Sequence, residues 1–197
     1  MTPANDDRSD AELAIAAKNG DAAALEVLLR RHFSATYAFV RRAVANVADA
    51  DDITQETFVR AWRHLRSFDV SKSFRTWVFR IARNAAIDLS RKRKIPAFSD
   101  RDDRGEGDDT PNIEDVVLDP RPLASASFDS ALLAKKLEAA TSALPLTQRM
   151  AVFLHLEEGR TFREISDILG VPLDTVKSRF RRALAALRVL LKDDAPK

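Results

Sequence analysis

The stretch from residue 95 to residue 127 most constrains the fold, because it cannot contribute to a hydrophobic core. It contains four prolines and two glycines and shows little apolar periodicity. Nine acidic residues against three arginines give it a net charge of −6, although the whole chain carries only +2. Polar, proline-rich segments of this kind are typical of linkers. The chain is therefore expected to fold as two modules joined by an acidic tether.

The sequences on both sides of this stretch repeat their apolar residues with helical period, and no alternating strand pattern is present. We expect an all-α protein with two small helical domains, a flexible acidic linker and a helix-turn-helix in the C-terminal domain. The predicted boundaries are a disordered N-terminus at 1–10, a helical domain at 11–94, the linker at 95–127, a second helical domain at 128–192 and a tail at 193–197.

Composition excludes several functional classes. The chain has no cysteine, which removes disulfides, cysteine-ligated zinc and thiol nucleophiles. It has no apolar run long enough to cross a bilayer and no apolar signal segment, so we expect a cytoplasmic protein without membrane insertion. The five glycines do not form a phosphate-binding loop. The sequence also lacks a catalytic constellation, since it has one tyrosine and three scattered histidines. We therefore expect no enzyme, no metal and no cofactor.

Positive charge is concentrated in both helical modules. Residues 60–94 contain eleven basic and two acidic residues, and residues 175–192 contain six basic residues and no acidic one. Each basic run lies opposite an apolar stripe, which favours two contacts with a polyanion such as nucleic acid. The alternative is that these are ordinary solvated helix faces.

The C-terminal module has the pattern of a helix-turn-helix. Thr161 and Glu164 form a predicted capping box, and the helix that they open ends at Gly170. A longer helix follows with one apolar and one basic face, and in this motif the second helix enters the major groove. An ordinary αα-hairpin is the alternative. The residues predicted to contact bases or phosphates are Asp174, Thr175, Lys177, Ser178, Arg179, Arg181 and Arg182.

The N-terminal module contains a compact acidic and polar cluster of Asp51, Asp52, Gln55 and Glu56. We expect Phe58, Trp62 and Leu65, at spacings of four and three, to form a core stripe. A polar break then precedes a helix with an apolar stripe from Phe74 to Leu89 and a basic opposite side. The polar residues predicted on the break and on that side are Asp69, Ser71, Lys72, Arg80, Arg83, Asn84 and Arg91.

Three ordered segments of this sequence are similar to one known family. Residues 49–62 resemble region 2.2 of bacterial sigma factors, and residues 74–88 resemble the adjoining 2.3–2.4 segment. Leu144-Pro145, residues 161–169 and residues 175–179 resemble region 4. The short chain with no intermediate domain is similar to extracytoplasmic-function (ECF) sigma factors. The resemblance implies a promoter-specificity subunit of RNA polymerase that serves a dedicated stress- or signal-responsive regulon.

The resemblance also implies a role for each polar set. Asp51, Asp52, Gln55 and Glu56 would dock on the β′ clamp helices of the polymerase core. The break and basic helix around Arg80, with a flipped base held beside the break, would read the −10 element, and the helix-turn-helix would read the −35 element. Val152 and Leu156 would meet the β flap. The acidic linker would enter the polymerase cavity, and an anti-sigma factor would regulate the protein.

Other functions compete with this interpretation. A sigma-like interaction protein could titrate an anti-sigma factor without binding promoters, but it would have no need for the basic residues Arg80, Arg83, Arg181 and Arg182. A helix-turn-helix repressor usually needs a dimerisation element, and none is evident. A recombinase needs a nucleophile–base pair, which the sequence does not offer.

Overall fold

The computed structural model describes residues 6–44, 46–92 and 136–192, and all regular structure within those ranges is helical. The chain divides into two compact units. The N-terminal module consists of α1 (Asp10–Lys18), α2 (Ala22–Ala43), α3 (Val47–His64) and α4 (Phe74–Lys92), with a short 3₁₀ turn at Leu65–Ser67. The predicted all-α fold with two helical regions is confirmed.

Side-chain caps fix the starts of the first three helices. Ser9 and Glu12 form a reciprocal capping box at α1. Asp21 accepts a hydrogen bond from the Ala24 N–H at α2, and Asn46 accepts one from the Ala48 N–H at α3. Each cap satisfies a backbone donor that the helix itself cannot pair. Residues 6–9, which we expected to be disordered, are tied to α2 by hydrogen bonds from Arg31 to the Asp6 and Arg8 carbonyls.

Helix α2 is the centre of the N-terminal module, since it packs against α1, α3 and α4. Leu13 of α1 and Leu28 of α2 share a buried cluster with Phe68, Phe74 and Val78. A second aromatic contact stacks Phe39 of α2 on Phe79 of α4, with ring centroids 5.0 Å apart. These contacts hold α4 and the segment before it against the rest of the module.

Helix α3 buries a face of small residues instead of its largest apolar ones. The buried residues of this face are Ala50, Ile53, Thr54, Thr57 and Ala61. The Thr54 and Thr57 hydroxyls donate to the carbonyls four residues earlier at 2.7 Å, so they are buried without an unsatisfied group. Trp62 is 59% exposed. Our prediction that Trp62 lies in the core is therefore wrong, although Leu65 is buried.

The C-terminal module begins, within the described residues, with helical residues 136–143 (α5). It continues with α6 (Leu146–Val152), a π-helical turn at Phe153–Glu157, α7 (Phe162–Leu169) and α8 (Leu173–Lys192). Its apolar cluster joins α5, α6 and α8 through Ala140, Leu144, Val152, Phe180, Ala183 and Leu187. Val152, which was predicted to face the β flap, is buried in this cluster, and Leu156 is exposed.

The π-helical turn places His155 among aromatic rings. Its ring stacks on Phe162 with centroids 4.4 Å apart and meets Phe180 edge-on at 4.8 Å. Its Nδ1 is hydrogen-bonded to the Arg160 carbonyl at 2.8 Å. His155 therefore closes the junction between the turn and α7.

The acidic linker at 95–127 and the tail at 193–197 lie outside the described residues, as do Arg93 and Lys94. The domain boundaries drawn through these parts stay predictions. None of the helices in the described part of the chain is long and apolar enough to span a membrane.

The pairing of α1 with α2 predicts a pH-dependent stability. His32 Nε2 lies 2.6 Å from Asp10 Oδ2, and its ring lies 5.3 Å from Phe74. Burial lowers the pKa of His32, and the positive charges of Arg75 and Arg31 add to this effect, while Asp10 only partly opposes it. As pH falls below about 6.5, the unfolded chain therefore takes up this proton before the folded one does, and stability decreases.

We expect the thermal midpoint of the wild type to fall between about pH 7 and pH 5. The variant His32→Gln, which cannot titrate there, should show a smaller decrease over the same range by circular dichroism. The variant His64→Gln, which changes an exposed histidine of the same module, should keep the wild-type slope. Equal slopes for all three proteins would contradict the assignment.

Candidate nucleic-acid interface

The helix-turn-helix is built from local signals that the sequence carries. Glu164 accepts hydrogen bonds at 2.9 Å from the backbone N–H and hydroxyl of Thr161, and the Glu164 N–H donates back to the Thr161 hydroxyl at 3.3 Å. The Thr161 N–H is the main cause of the lowered pKa of Glu164. Gly170 has φ +61°, the left-handed conformation that ends a helix most easily without a Cβ. The predicted capping box is confirmed.

Helix α8 presents the predicted base-contacting residues on its side away from the apolar cluster. Asp174 is exposed, and the half-buried residues are Thr175, Lys177, Ser178, Arg181 and Arg182. The Ser178 hydroxyl donates to the Thr175 carbonyl at 3.1 Å, and Arg182 Nε donates to the Ser178 carbonyl at 3.4 Å. These bonds run along the helix and order the two side chains before any ligand binds.

Arg179 differs from the other predicted contacts of α8, because it is only 7% exposed. Its guanidinium reaches a phosphate only if the groups that cover it move away. The sequence placed Arg179 among the DNA-binding residues, and that role stays a prediction.

The polar break forms a small ordered loop, Phe68–Ser73. The loop starts at the buried Phe68 and ends just before the buried Phe74. Asp69 accepts hydrogen bonds from the backbone N–H and hydroxyl of Ser71 at 3.0 and 2.7 Å. These bonds are the main reason why the pKa of Asp69 is lowered. Asp69, Ser71 and Lys72 are exposed, so the loop offers a carboxylate, a hydroxyl and an ammonium group to solvent.

Helix α4 starts where this loop ends and carries the second half of the predicted site. The Ser73 hydroxyl accepts from the Thr76 N–H at 3.3 Å, which caps the helix. Arg80, Asn84 and Arg91 are exposed, and Arg83 is half-buried and donates to Asn84 Oδ1 at 2.9 Å. The predicted polar residues of loop and helix therefore belong to one element pair, with a basic face next to the loop.

The acidic face of α3 lies on the same module. Asp51, Asp52, Gln55 and Glu56 are all exposed. Arg60 donates a hydrogen bond to Glu56 at 2.7 Å and lies 3.7 Å from Asp88 of α4. The hydrogen bond from Arg60 lowers the pKa of the Glu56 carboxyl. Since Arg60 links the two helices, the acidic face is held at a fixed place beside α4.

An exposed apolar patch continues this face, and the sequence reasoning missed it. We call Phe33, Phe58, Val59 and Trp62 the aromatic patch. Phe33 is 50% exposed, and its ring stacks on Phe58 with centroids 5.6 Å apart. Val59 and Trp62 lie four and seven residues after Gln55, which puts them on the same side of α3. Exposed apolar patches of this kind mark interaction surfaces.

Comparison with known proteins assigns the family. The model of Sigma-70 region 2 matches residues 28–95, and the model of Sigma-70 region 4 matches residues 134–187. The ECF RNA polymerase sigma factor SigW of Bacillus subtilis is 33% identical over 179 residues, which cover 89% of this chain and 93% of SigW. This chain belongs to the ECF sigma factors. The RNA polymerase sigma factor CnrH of Cupriavidus metallidurans is 30% identical over 194 residues, covering 98% of this chain and all of CnrH.

Solved structures agree with this assignment. The structure of CnrH in complex with the cytosolic domain of CnrY matches with a TM-score of 0.67 and 27% identity, covering 94% of this chain and 99% of that one. The sigma factor RpoE in complex with the anti-sigma factor NepR from Bartonella quintana matches with a TM-score of 0.61 and 26% identity, covering 85% and 96%. The predicted family is confirmed.

The capping box of this ECF sigma factor gives a direct test of how α7 is held. We expect Thr161→Ala to reduce the free energy of unfolding by about 1 kcal/mol, because it removes the acceptor for the Glu164 N–H and one donor to the Glu164 carboxylate. The control Ser142→Ala removes an exposed hydroxyl from the same module and should leave stability nearly unchanged. Urea unfolding followed by circular dichroism measures both, and equal losses would contradict the role of the cap.

Proposed function

We propose that this ECF sigma factor, a promoter-specificity subunit of RNA polymerase, divides its work among three surfaces. The Phe68–Ser73 loop and the basic face of α4 read the −10 element, the polar face of α8 reads the −35 element, and the acidic face of α3 docks on the β′ clamp helices. The regulon is a dedicated one that responds to stress or another signal. The protein acts by binding and not by catalysis. It acts in the cytoplasm, where RNA polymerase is located.

The observation that carries the −10 assignment is the loop between Phe68 and Phe74. Both aromatic residues are buried, whereas Asp69, Ser71 and Lys72 between them are exposed beside a basic helix face. A melted strand needs a positive surface for its backbone and polar groups for an unstacked base. The loop supplies the polar groups, and Arg80, Arg83 and Arg91 supply the charge.

The −35 assignment is supported by the order of groups along α8. Asp174 and Thr175 lie in the first turn, and Ser178 and Arg181 follow one and two turns later on the polar side. The first turns of a recognition helix approach base edges in the major groove, where arginine pairs with guanine and a carboxylate accepts from cytosine.

Core docking is supported by the acidic face of α3 together with the aromatic patch that continues it. Four exposed polar residues supply specificity, and Trp62 supplies apolar area of the kind that dominates protein interfaces. The solved relatives are complexes with CnrY and with the anti-sigma factor NepR. We therefore also propose that an anti-sigma factor binds this protein. The sequence-based contact with the β flap would then rely on Leu156, since Val152 is buried.

Run-off transcription with purified core polymerase on a genomic promoter library tests the whole proposal. Transcripts that start behind shared, spaced −35 and −10 motifs, and only when this protein is present, are the expected result. Absence of both transcripts and core binding would support the alternative of a sigma-like protein that titrates an anti-sigma factor.

The docking surface is tested by the double change Asp51→Lys with Asp52→Lys. We expect weaker binding to core polymerase, because two favourable charges become repulsive, and an unchanged circular dichroism spectrum, because both residues are exposed. The control Asp7→Lys with Glu26→Lys makes the same charge change at exposed positions of the same module. Wild-type core affinity in the Asp51 and Asp52 variant would refute the docking surface.

The −35 surface is tested by Arg181→Ala. If Arg181 makes a bidentate base contact, the change should reduce discrimination between upstream promoter variants by about 1–3 kcal/mol. The control Arg188→Ala removes an exposed arginine two turns later and should weaken binding uniformly. Unchanged preference among upstream variants in the Arg181→Ala protein would exclude the base contact.

A further inference from the structure

The loop that we assign to the −10 element is anchored from a helix that precedes the Sigma-70 region 2 match. That match begins at residue 28, whereas α1 comprises Asp10–Lys18. Leu13 and Ala14 of α1 are fully buried in the same cluster as Phe68 and Phe74, the aromatic residues at the two ends of the loop. Helix α1 is therefore part of the platform on which the loop rests.

The two ends of the loop are locked to each other by aromatic contacts. Phe68 meets Phe74 edge-on with ring centroids 5.3 Å apart. The Trp77 ring lies 4.9 Å from Phe68 and 5.5 Å from Phe74. Inside the loop, the Lys72 N–H donates to the Asp69 carbonyl at 3.0 Å. This hydrogen bond closes the loop into a turn. The orientation of that turn depends on the backbone conformation just after Phe68.

Lys18 acts at that point. Its Nζ donates a hydrogen bond to the carbonyl oxygen of Phe68, fifty residues later in the chain. The same ammonium group is close enough to Asp69 to contribute to lowering the pKa of that carboxyl. Lys18 is half-buried, and it lies in the last turn of α1, where the helix dipole favours a positive charge. One side chain therefore fixes the first carbonyl of the loop and faces its first polar group.

We propose that Lys18 is a positioning residue for promoter selection, which holds the Phe68–Ser73 loop in the orientation that reads the −10 element. This inference rests on the proposed function of that loop. Lys18 acts through the Phe68 carbonyl and not by touching DNA. Without its hydrogen bond, the carbonyl turns toward water, and Asp69 and Ser71 no longer meet one base at a fixed angle.

The test uses full-length protein in holoenzyme and a library of promoters with the −10 base pairs randomised and the upstream element kept constant. Transcripts are sequenced to give the preference for each base. Lys18→Met keeps an unbranched side chain that is one heavy atom shorter, and it removes the donor. We expect its ratio of best to singly mismatched −10 sequences to fall about three- to tenfold. Its preference among upstream variants should stay that of the wild type.

Three further proteins make the result specific. Lys18→Arg keeps a long cationic donor and should retain the −10 preference. Arg30→Met removes one exposed positive charge from the same module and should also retain it. Lys18→Gln replaces the ammonium group with a neutral amide on a side chain one atom shorter; it should behave like Lys18→Met and serves in its place if Lys18→Met does not fold. Circular dichroism and core-polymerase affinity check that each variant is folded.

The outcomes separate the two proposals. A wild-type holoenzyme without any −10 preference overturns the proposed function, and the role of Lys18 with it. If Lys18→Met lowers the transcript yield of all −10 sequences by the same factor, the ratios between them stay unchanged. That result overturns the role of Lys18 alone and indicates a contact with phosphate. Flattened ratios in Lys18→Met and Lys18→Gln, but not in Lys18→Arg or Arg30→Met, support positioning.

Discussion

Burial of Phe68 and Phe74 at the two ends of one short loop is the constraint on which the N-terminal module depends. Fully burying such a side chain contributes about 1.5–3 kcal/mol, and edge-to-face aromatic pairs add more. With both ends held in the core, the polar residues Asp69, Ser71, Lys72 and Ser73 lie exposed between them, while Val70 packs partly against the core. Helices α1 and α2 supply the opposing surface through Leu13, Leu28 and His32. The stability of the module and the exposure of its polar loop thus have the same cause.

The same small module carries two surfaces of opposite charge on adjacent helices. The exposed carboxylates of α3 repel a nucleic-acid backbone, whereas the arginines of α4 attract it. Arg60, which pairs with Glu56 of α3 and approaches Asp88 of α4, connects the two helices that carry these surfaces. The proposed protein contact and the proposed nucleic-acid contact therefore use different faces of this module.

Local signals in the sequence predicted the helix-turn-helix well, because each depends on near neighbours. Thr161 with Glu164 and the glycine at position 170 act within one helical turn, and the structure has both as expected. Trp62 was misplaced because two stripes of α3 compete for the core, and close helix packing favours the one with Ala50, Thr57 and Ala61. Hydrophobicity alone does not decide between them.

Contacts between residues far apart in the chain could not be predicted from the sequence. The bond from Lys18 to Phe68 depends on how α1 meets the loop, and the pairing of Asp10 with His32 depends on how α1 meets α2. The burial of Arg179 was likewise not evident from its place among basic residues. The role of His155 depends on the π-helical turn, which shifts its side chain relative to a regular helix and brings it to Phe162. The candidate site residues on α3, α4 and α8 could be chosen from spacing, but their exposure could not.

The positions of the two tryptophans allow intrinsic fluorescence to report on two surfaces of this protein. Trp62 stands in the exposed aromatic patch of α3, and Trp77 packs beside the loop between Phe68 and Phe74. The chain has no other tryptophan, so its indole fluorescence arises entirely from the N-terminal module. A protein that covers α3 shields one indole from water-soluble quenchers, whereas a base that enters beside the loop perturbs the other. Replacing one tryptophan with phenylalanine leaves the other as the sole fluorescent probe of its own surface.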